Sequence, residues 1–187
     1  MKRTIIIISI LILAALISFV WLGAERQILL KSYPLEFEEY VEKYAEKYAV
    51  PQSVIYGVIK VESNFKSDAV SKKGAIGLMQ ITPETFEWLC MSEPYENASA
   101  DLLYNPEINI HYGTLFLSLL YSEFGTWDNA FAAYNAGRTR VNGWLADERY
   151  SENGRLTDIP FPETADYVVK VAEARDTYTE LYFSQNG

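Results

Sequence analysis

Four times in this chain a proline stands where a helix would begin, and that punctuation narrows the possible folds further than anything else in the sequence. Pro51, Pro83, Pro106 and Pro162 each open an apolar-periodic run. In the first turn of a helix the missing N–H of proline costs nothing, because it would have no partner there. Thr82 and Asn105, directly before two of these prolines, carry side-chain oxygens suited to capping. Upstream, Phe37, Tyr40, Val41, Tyr44, Ala45 and Tyr48 recur at the spacing of a helix with one buried stripe. The helix after Pro106 is expected to run to about Phe124, with Gly125 as its left-handed terminator. Another is expected from near Thr126 to Asn135-Ala136-Gly137, followed by a shorter one over Arg138 to Leu145. Residues 146–158 read as a polar loop. A last helix enters through Pro160 and Pro162 with Tyr167, Val171, Ala174 and Tyr178 on one stripe, and the closing Ser-Gln-Asn-Gly is expected to fray. No sustained period-2 alternation or internal repeat interrupts the pattern. The spacing predicts an all-α domain of six or seven helices.

The first residues follow a different rule. Lys2 and Arg3 precede 18 uncharged residues, Ile5 to Leu22. As a helix these would reach about 27 Å, close to the hydrocarbon thickness of a bilayer. A cleaved signal peptide usually has a shorter apolar region, and Trp21-Leu22-Gly23-Ala24 is a poor cleavage site. The expectation is a signal-anchor transmembrane helix over 1–23, a short stalk over 24–34 ending at Pro34, and one domain over 35–187. The basic pair in front predicts a single-pass protein with the N-terminus in the cytoplasm and the domain on the extracytoplasmic side of the cell membrane. Beyond Lys2 and Arg3 the chain holds 14 basic residues against 25 acidic, about −11, which disfavours nucleic acid and anionic lipid as partners. The apolar fraction of 49% and the aromatic fraction of 14% supply a core and exclude a disordered chain. Cys90 is the only cysteine, so no intrachain disulfide can form and no cysteine cluster can hold a metal. His111 is the only histidine and lies in a long helical pattern, where a structural role is expected.

Chemistry is expected first at Glu62. Ile55, Val58, Ile59 and Glu62 share one helical stripe, and Glu62 stands near the helix C-terminus. Burial and the helix dipole both push a carboxyl pKa upward there. A carboxylic acid that stays protonated near neutrality is what a general acid for glycoside cleavage requires. The other reading is an acid that ends the stripe and reaches into water. Downstream, Gly74 and Gly77 bracket an apolar pair before Leu78, Met79 and Gln80. That spacing permits a tight turn and close approach to a ligand, though it is no dinucleotide fingerprint. Met79 reads equally as core filler, whereas Gln80 offers both donors and an acceptor. A third stretch places Tyr134 and Asn135 at a helix end before Ala136-Gly137, which also reads as an ordinary C-cap. No phosphate cradle, metal-loop spacing or cofactor motif is found.

Taken together these stretches resemble the lytic transglycosylases of the soluble (SLT) type, whose catalytic domain is goose-lysozyme-like. The family pattern is a Glu-Ser pair, Gly-Leu-Met-Gln, Ala-Tyr-Asn-Ala-Gly, and a tyrosine early in a late helix. Here these are Glu62-Ser63, Gly77-Leu78-Met79-Gln80, Ala133-Tyr134-Asn135-Ala136-Gly137 and Tyr167, in the family's order, over roughly residues 35–183.

The resemblance implies a helical lysozyme-like domain that cleaves the β-1,4 bond between N-acetylmuramic acid and N-acetylglucosamine in peptidoglycan, leaving a 1,6-anhydromuramoyl end, without metal or cofactor. It implies Glu62 as the single catalytic acid and base. Ser63, Gln80, Tyr134, Asn135 and Tyr167 carry over as substrate contacts or as groups orienting Glu62, and Met79 as a cleft wall. A hydrolytic muramidase would want a second carboxylate; the nearest in sequence, Asp68, lies in a polar turn. A non-catalytic wall-binding scaffold on the same fold is the third reading.

Overall fold

The computed structural model describes residues 18, 21 and 23–184, and the chain divides into two units, residues 1–34 and 35–187. In the first, residues 23–32 are helical, so the stretch expected as a stalk is largely a helix. The expected span over 5–22 and the expected fraying of the last residues lie almost wholly outside the described residues. Among the described residues no helix is long and apolar enough to cross a membrane.

The second unit is helical. Its α-helices are α1 (Glu38–Tyr48), α2 (Gln52–Glu62), α3 (Pro83–Ser92), α4 (Pro106–Phe124), α5 (Trp127–Ala136), α6 (Arg138–Leu145) and α7 (Pro162–Tyr178). A 3-10 turn, Ala100–Tyr104, precedes α4, and a π turn, Thr179–Phe183, continues α7. The punctuation works as the sequence predicts. Thr82, Asn105 and Thr126 each accept a hydrogen bond from the backbone N–H three residues on, capping α3, α4 and α5. Gly125 ends α4 at φ 72°. Pro51 differs slightly, standing at the cap position just before α2.

The expected loop after α6 is not wholly irregular. Ser151–Glu152 (β1) and Arg155–Leu156 (β2) pair antiparallel around Asn153 and Gly154, both at positive φ. Strands of two residues are too short to show alternation, and only the Asn-Gly pair could have signalled the turn. Buried Asn129 of α5 holds this hairpin, donating to the Gly154 carbonyl at 2.8 Å and accepting from the Leu156 N–H at 3.1 Å.

Two packings position the site. Helix α4 is buried along most of its length and packs against α1 and α5. Helix α2 lies against α7, and its Val54, Ile55, Val58 and Ile59 are buried. Gly57 allows the close approach: a Cβ at that position would meet the Arg175 nitrogen at 3.0 Å and the Val171 carbonyl at 3.2 Å. His111 has the structural setting expected of it. Its ring stacks on Tyr44 at 4.5 Å and Tyr48 at 5.7 Å, and its Nε2 lies 3.1 Å from Glu93, tying α4 to α1 and to the end of α3.

Candidate active site

Glu62 is the last residue of α2, where the buried stripe of Val58 and Ile59 reaches a cleft. Its side chain is half-buried. Burial pushes the carboxyl pKa up to about 7, partly offset by a hydrogen bond that favours the ionised form. The donor is the Tyr167 hydroxyl, 2.7 Å from Glu62 Oε1. Tyr167 is buried in α7, and the contact between residues 105 positions apart exists because α7 packs on α2. Burial and the neighbouring Glu62 hold the Tyr167 and Tyr134 hydroxyl pKa values well above the usual tyrosine range. Both remain hydrogen-bond donors.

The chain then leaves α2 through Asn64 and Phe65, both at positive φ, and returns through a loop built on Ile76. Ile76 pairs with Val70 on one side and Ile81 on the other. Ser63 is buried and donates to the Leu78 carbonyl at 2.8 Å, fixing the end of α2 to this loop. Gln80, at φ 51°, donates its side-chain amide to the Ala69 and Gly77 carbonyls at 3.1 and 2.9 Å. Two carbonyl partners identify that end as nitrogen and leave the amide oxygen as the group Gln80 can offer a ligand.

The loop is clamped from below by Asn109 of α4, which is fully buried. Its Oδ1 accepts from the Met79 N–H at 2.7 Å, and its Nδ2 donates to the Ile76 and Leu103 carbonyls at 2.9 and 2.8 Å. Gly77 is required at this contact, since a Cβ would lie 2.3 Å from the Asn109 amide nitrogen. Met79 points down rather than outward. It is fully buried, and a Cβ on Gly113 of α4 would meet its sulfur at 2.4 Å. Met79 is expected as a cleft wall or as core filler, and its side chain fills a socket that glycine at 113 opens in α4. Its backbone carbonyl serves the site instead, accepting from the Tyr134 hydroxyl at 2.7 Å.

Glu62, Gln80, Tyr134 and Asn135 line one cleft of about 430 Å³. Asn135 is exposed at the end of α5, and its Oδ1 accepts from buried Thr164 of α7 at 2.8 Å. Tyr167 touches Glu62 from within, while Ser63 and Met79 lie beneath the loop. Ser63, next to Glu62, is buried and bonded to that loop. Sequence reasoning missed Asn109 and Thr164, and it missed Lys72, Lys73 and Glu163 on the rim of the same cleft. Asn109 had a signal: a lone amide between Ile108 and Ile110 in an apolar helix. Asp68 is exposed. Among the described residues no three His, Cys, Asp or Glu side chains gather as metal ligands.

Residues 39–155 match the Transglycosylase SLT domain. The chain is 36% identical over 158 residues to the soluble lytic murein transglycosylase of Escherichia coli K12, covering 81% of this chain and 24% of that protein. It is 30% identical over 155 residues to the membrane-bound lytic murein transglycosylase C of Actinobacillus pleuropneumoniae, covering 71% of this chain and 42% of that one. The crystal structure of the 70-kDa soluble lytic transglycosylase from Escherichia coli superposes with a TM-score of 0.75 at 32% identity, over 84% of this chain and 26% of that one. An inactive Glu-to-Gln mutant of the lytic transglycosylase Slt from Pseudomonas aeruginosa superposes with a TM-score of 0.71 at 33% identity, over 81% of this chain and 25% of that one. The chain thus spans 24% to 42% of the length of these curated relatives. With the family matched across most of the helical unit and the fold shared, this chain belongs to the transglycosylase SLT domain family.

Proposed function

We propose that this protein is a peptidoglycan lytic transglycosylase in which Glu62 is the only catalytic carboxyl. The observation that carries the reading is the Glu62–Tyr167 pair at the floor of the cleft, with a carboxyl pKa of about 7. A group with that pKa is present in both protonation states near neutrality, as one residue acting first as acid and then as base requires. Protonated Glu62 gives its proton to the glycosidic oxygen as the C1–O bond breaks. The substrate's own N-acetyl group shares the positive charge that develops at C1. Ionised Glu62, held by the Tyr167 hydroxyl, then takes the proton of the C6 hydroxyl while that oxygen bonds to C1. The proton returns to Glu62, a 1,6-anhydromuramoyl end forms, and no water is consumed. In this reading Gln80, Tyr134 and Asn135 contact the glycan, which their common lining of the cleft with Glu62 supports, and Ser63 and Met79 hold the loop that carries Gln80.

A hydrolytic muramidase is the alternative. The other carboxylate on the cleft, Glu163, is 77% exposed and paired with Lys73, a poor setting for activating a water. The two influences on Glu62 are burial and Tyr167, with no second carboxylate among them. Mass spectrometry of muropeptides released from purified sacculi separates the two. Products lighter by one water than reducing muropeptides are expected, and reducing ends alone would contradict transglycosylation. Release of no muropeptides at all would favour a wall-binding scaffold.

For the domain organisation we propose residues 1–23 as a signal-anchor helix, 24–34 as a short stalk and 35–187 as the catalytic domain. Residues 5–22 would hold that domain on the extracytoplasmic face of the cell membrane. Lys2 and Arg3 before 18 uncharged residues support this, as does the likeness to a relative named as membrane-bound.

A further inference from the structure

The cleft beside Glu62 differs in charge from the chain that builds it. The protein holds 25 acidic and 16 basic residues, a net charge of −9. Its cleft, however, presents Lys72 and Lys73 against one carboxylate besides Glu62, that of Glu163. The lysines ride on a built turn. The Ser71 N–H donates to the Ala75 carbonyl at 2.9 Å and the Gly74 N–H to the Ser71 carbonyl at 3.0 Å. Ser71 Oγ accepts from the Lys73 and Ala75 N–H groups at 3.3 and 3.0 Å. From this turn the Lys73 ammonium reaches to 3.6 Å from Glu163, in the first turn of α7. The pair joins two walls of the cleft at its mouth, where the side chains are 81% and 77% exposed. An ion pair so open to water is weak enough to exchange one partner for a carboxylate of the substrate.

We propose that Lys72 and Lys73 form a subsite for carboxylates, binding the anionic stem peptides that the muramoyl residues carry. Glu163 occupies Lys73 until a peptide carboxylate displaces it. The inference rests on the transglycosylase reading and adds to it the part of the substrate that is read. N-acetylglucosamine is neutral, and the lactyl carboxyl of each muramoyl residue is tied up in the amide to its peptide, so the free carboxylates of peptide-bearing strands lie on the peptides attached to every second sugar. A protonated acid is best kept apart from those anions, and from strong cations that would strip its proton. The placement serves both needs: the lysines stand at the rim, and neither contributes to the setting of the Glu62 carboxyl.

The test compares kcat/KM on glycan strands bearing stem peptides with the same strands after the peptide carboxylates have been converted to neutral amides with carbodiimide and ammonia. Wild type is expected to prefer the strands with free carboxylates. The Lys72→Ala/Lys73→Ala double variant is expected to lose about threefold to tenfold of that preference, chiefly through KM. Lys73→Arg should retain it, Glu163→Gln should strengthen it, and added salt should erode it. Equal cleavage of both substrates by wild type would overturn the subsite, as would a double variant whose loss is the same on both. If wild type cleaves neither substrate, the transglycosylase reading fails and this inference falls with it.

Discussion

Glu62→Gln is expected to abolish glycan cleavage and, at the same time, to make the protein more stable above neutral pH. The amide can neither give a proton to the leaving oxygen nor take one from the C6 hydroxyl, so a loss of at least about a thousandfold is expected. The stability effect follows from linkage. The folded carboxyl titrates at about 7 against an ordinary value of 4.5, so the folded state holds this proton more tightly than the unfolded chain does. Stability is therefore lost as pH rises from the lower value through the higher one. Above that window the wild type holds a half-buried carboxylate that glutamine replaces with a neutral group, still able to accept from Tyr167. A gain of about 1–3 kcal/mol is expected well above pH 7, and none near the pH where both states are protonated. Urea unfolding at two pH values on either side of the window measures it. A variant that still cleaves, or that is no more stable at the higher pH, would contradict the assignment.

Asn109→Leu is expected to cost about 3–5 kcal/mol and to disable the site without touching it. Leucine keeps the branched shape with somewhat bulkier ends, but it leaves the Met79 N–H and the Leu103 carbonyl without their present partners and the Ile76 carbonyl with the Ile81 N–H alone. Each such buried group costs about 1–3 kcal/mol when left unmade. The loop that Ile76 and Met79 belong to carries Gln80 and accepts the Tyr134 hydroxyl, so the cleft should lose definition as stability falls. Against a typical domain stability of about 5–15 kcal/mol, the loss is large. Chemical denaturation with the midpoint and slope read separately checks it. A change below about 1 kcal/mol would mean that the amide is not the clamp it is taken for.

The helices were legible because their signals are local. Proline after a capping residue marks a start, as at Thr82 and Asn105, and Thr126 caps its helix without a proline. Glu62 was half legible. Spacing put it on an apolar stripe, but the same stripe could have ended in water. What decides the matter is α7, brought against α2 at Gly57 and carrying Tyr167 to the carboxyl. Sequence spacing cannot show a contact made across the whole domain.

The loop between α2 and α3 was only partly legible for a related reason. Its residues match the family pattern, yet a match does not say which way a side chain points. Met79 turns into α4 because Gly113 leaves room for it, and Ser63 turns to a carbonyl of the same loop. Asn109, which holds that loop in place, looked like one polar residue in a buried helix. The rim pair of Lys73 and Glu163 joins a turn to a helix far along the chain, and no local pattern announces it.

Every step proposed at this site depends on Glu62 holding its proton near neutrality. The direct measurement is a titration of the Glu62 carboxyl carbon by NMR, assigned by its disappearance in Glu62→Gln. A midpoint of about 7 is expected in the wild-type protein. In Tyr167→Phe, which lacks the hydroxyl that favours the ionised form, the midpoint should move higher. A midpoint at the ordinary 4.5 would contradict the mechanism, because Glu62 would then meet its substrate with no proton to give.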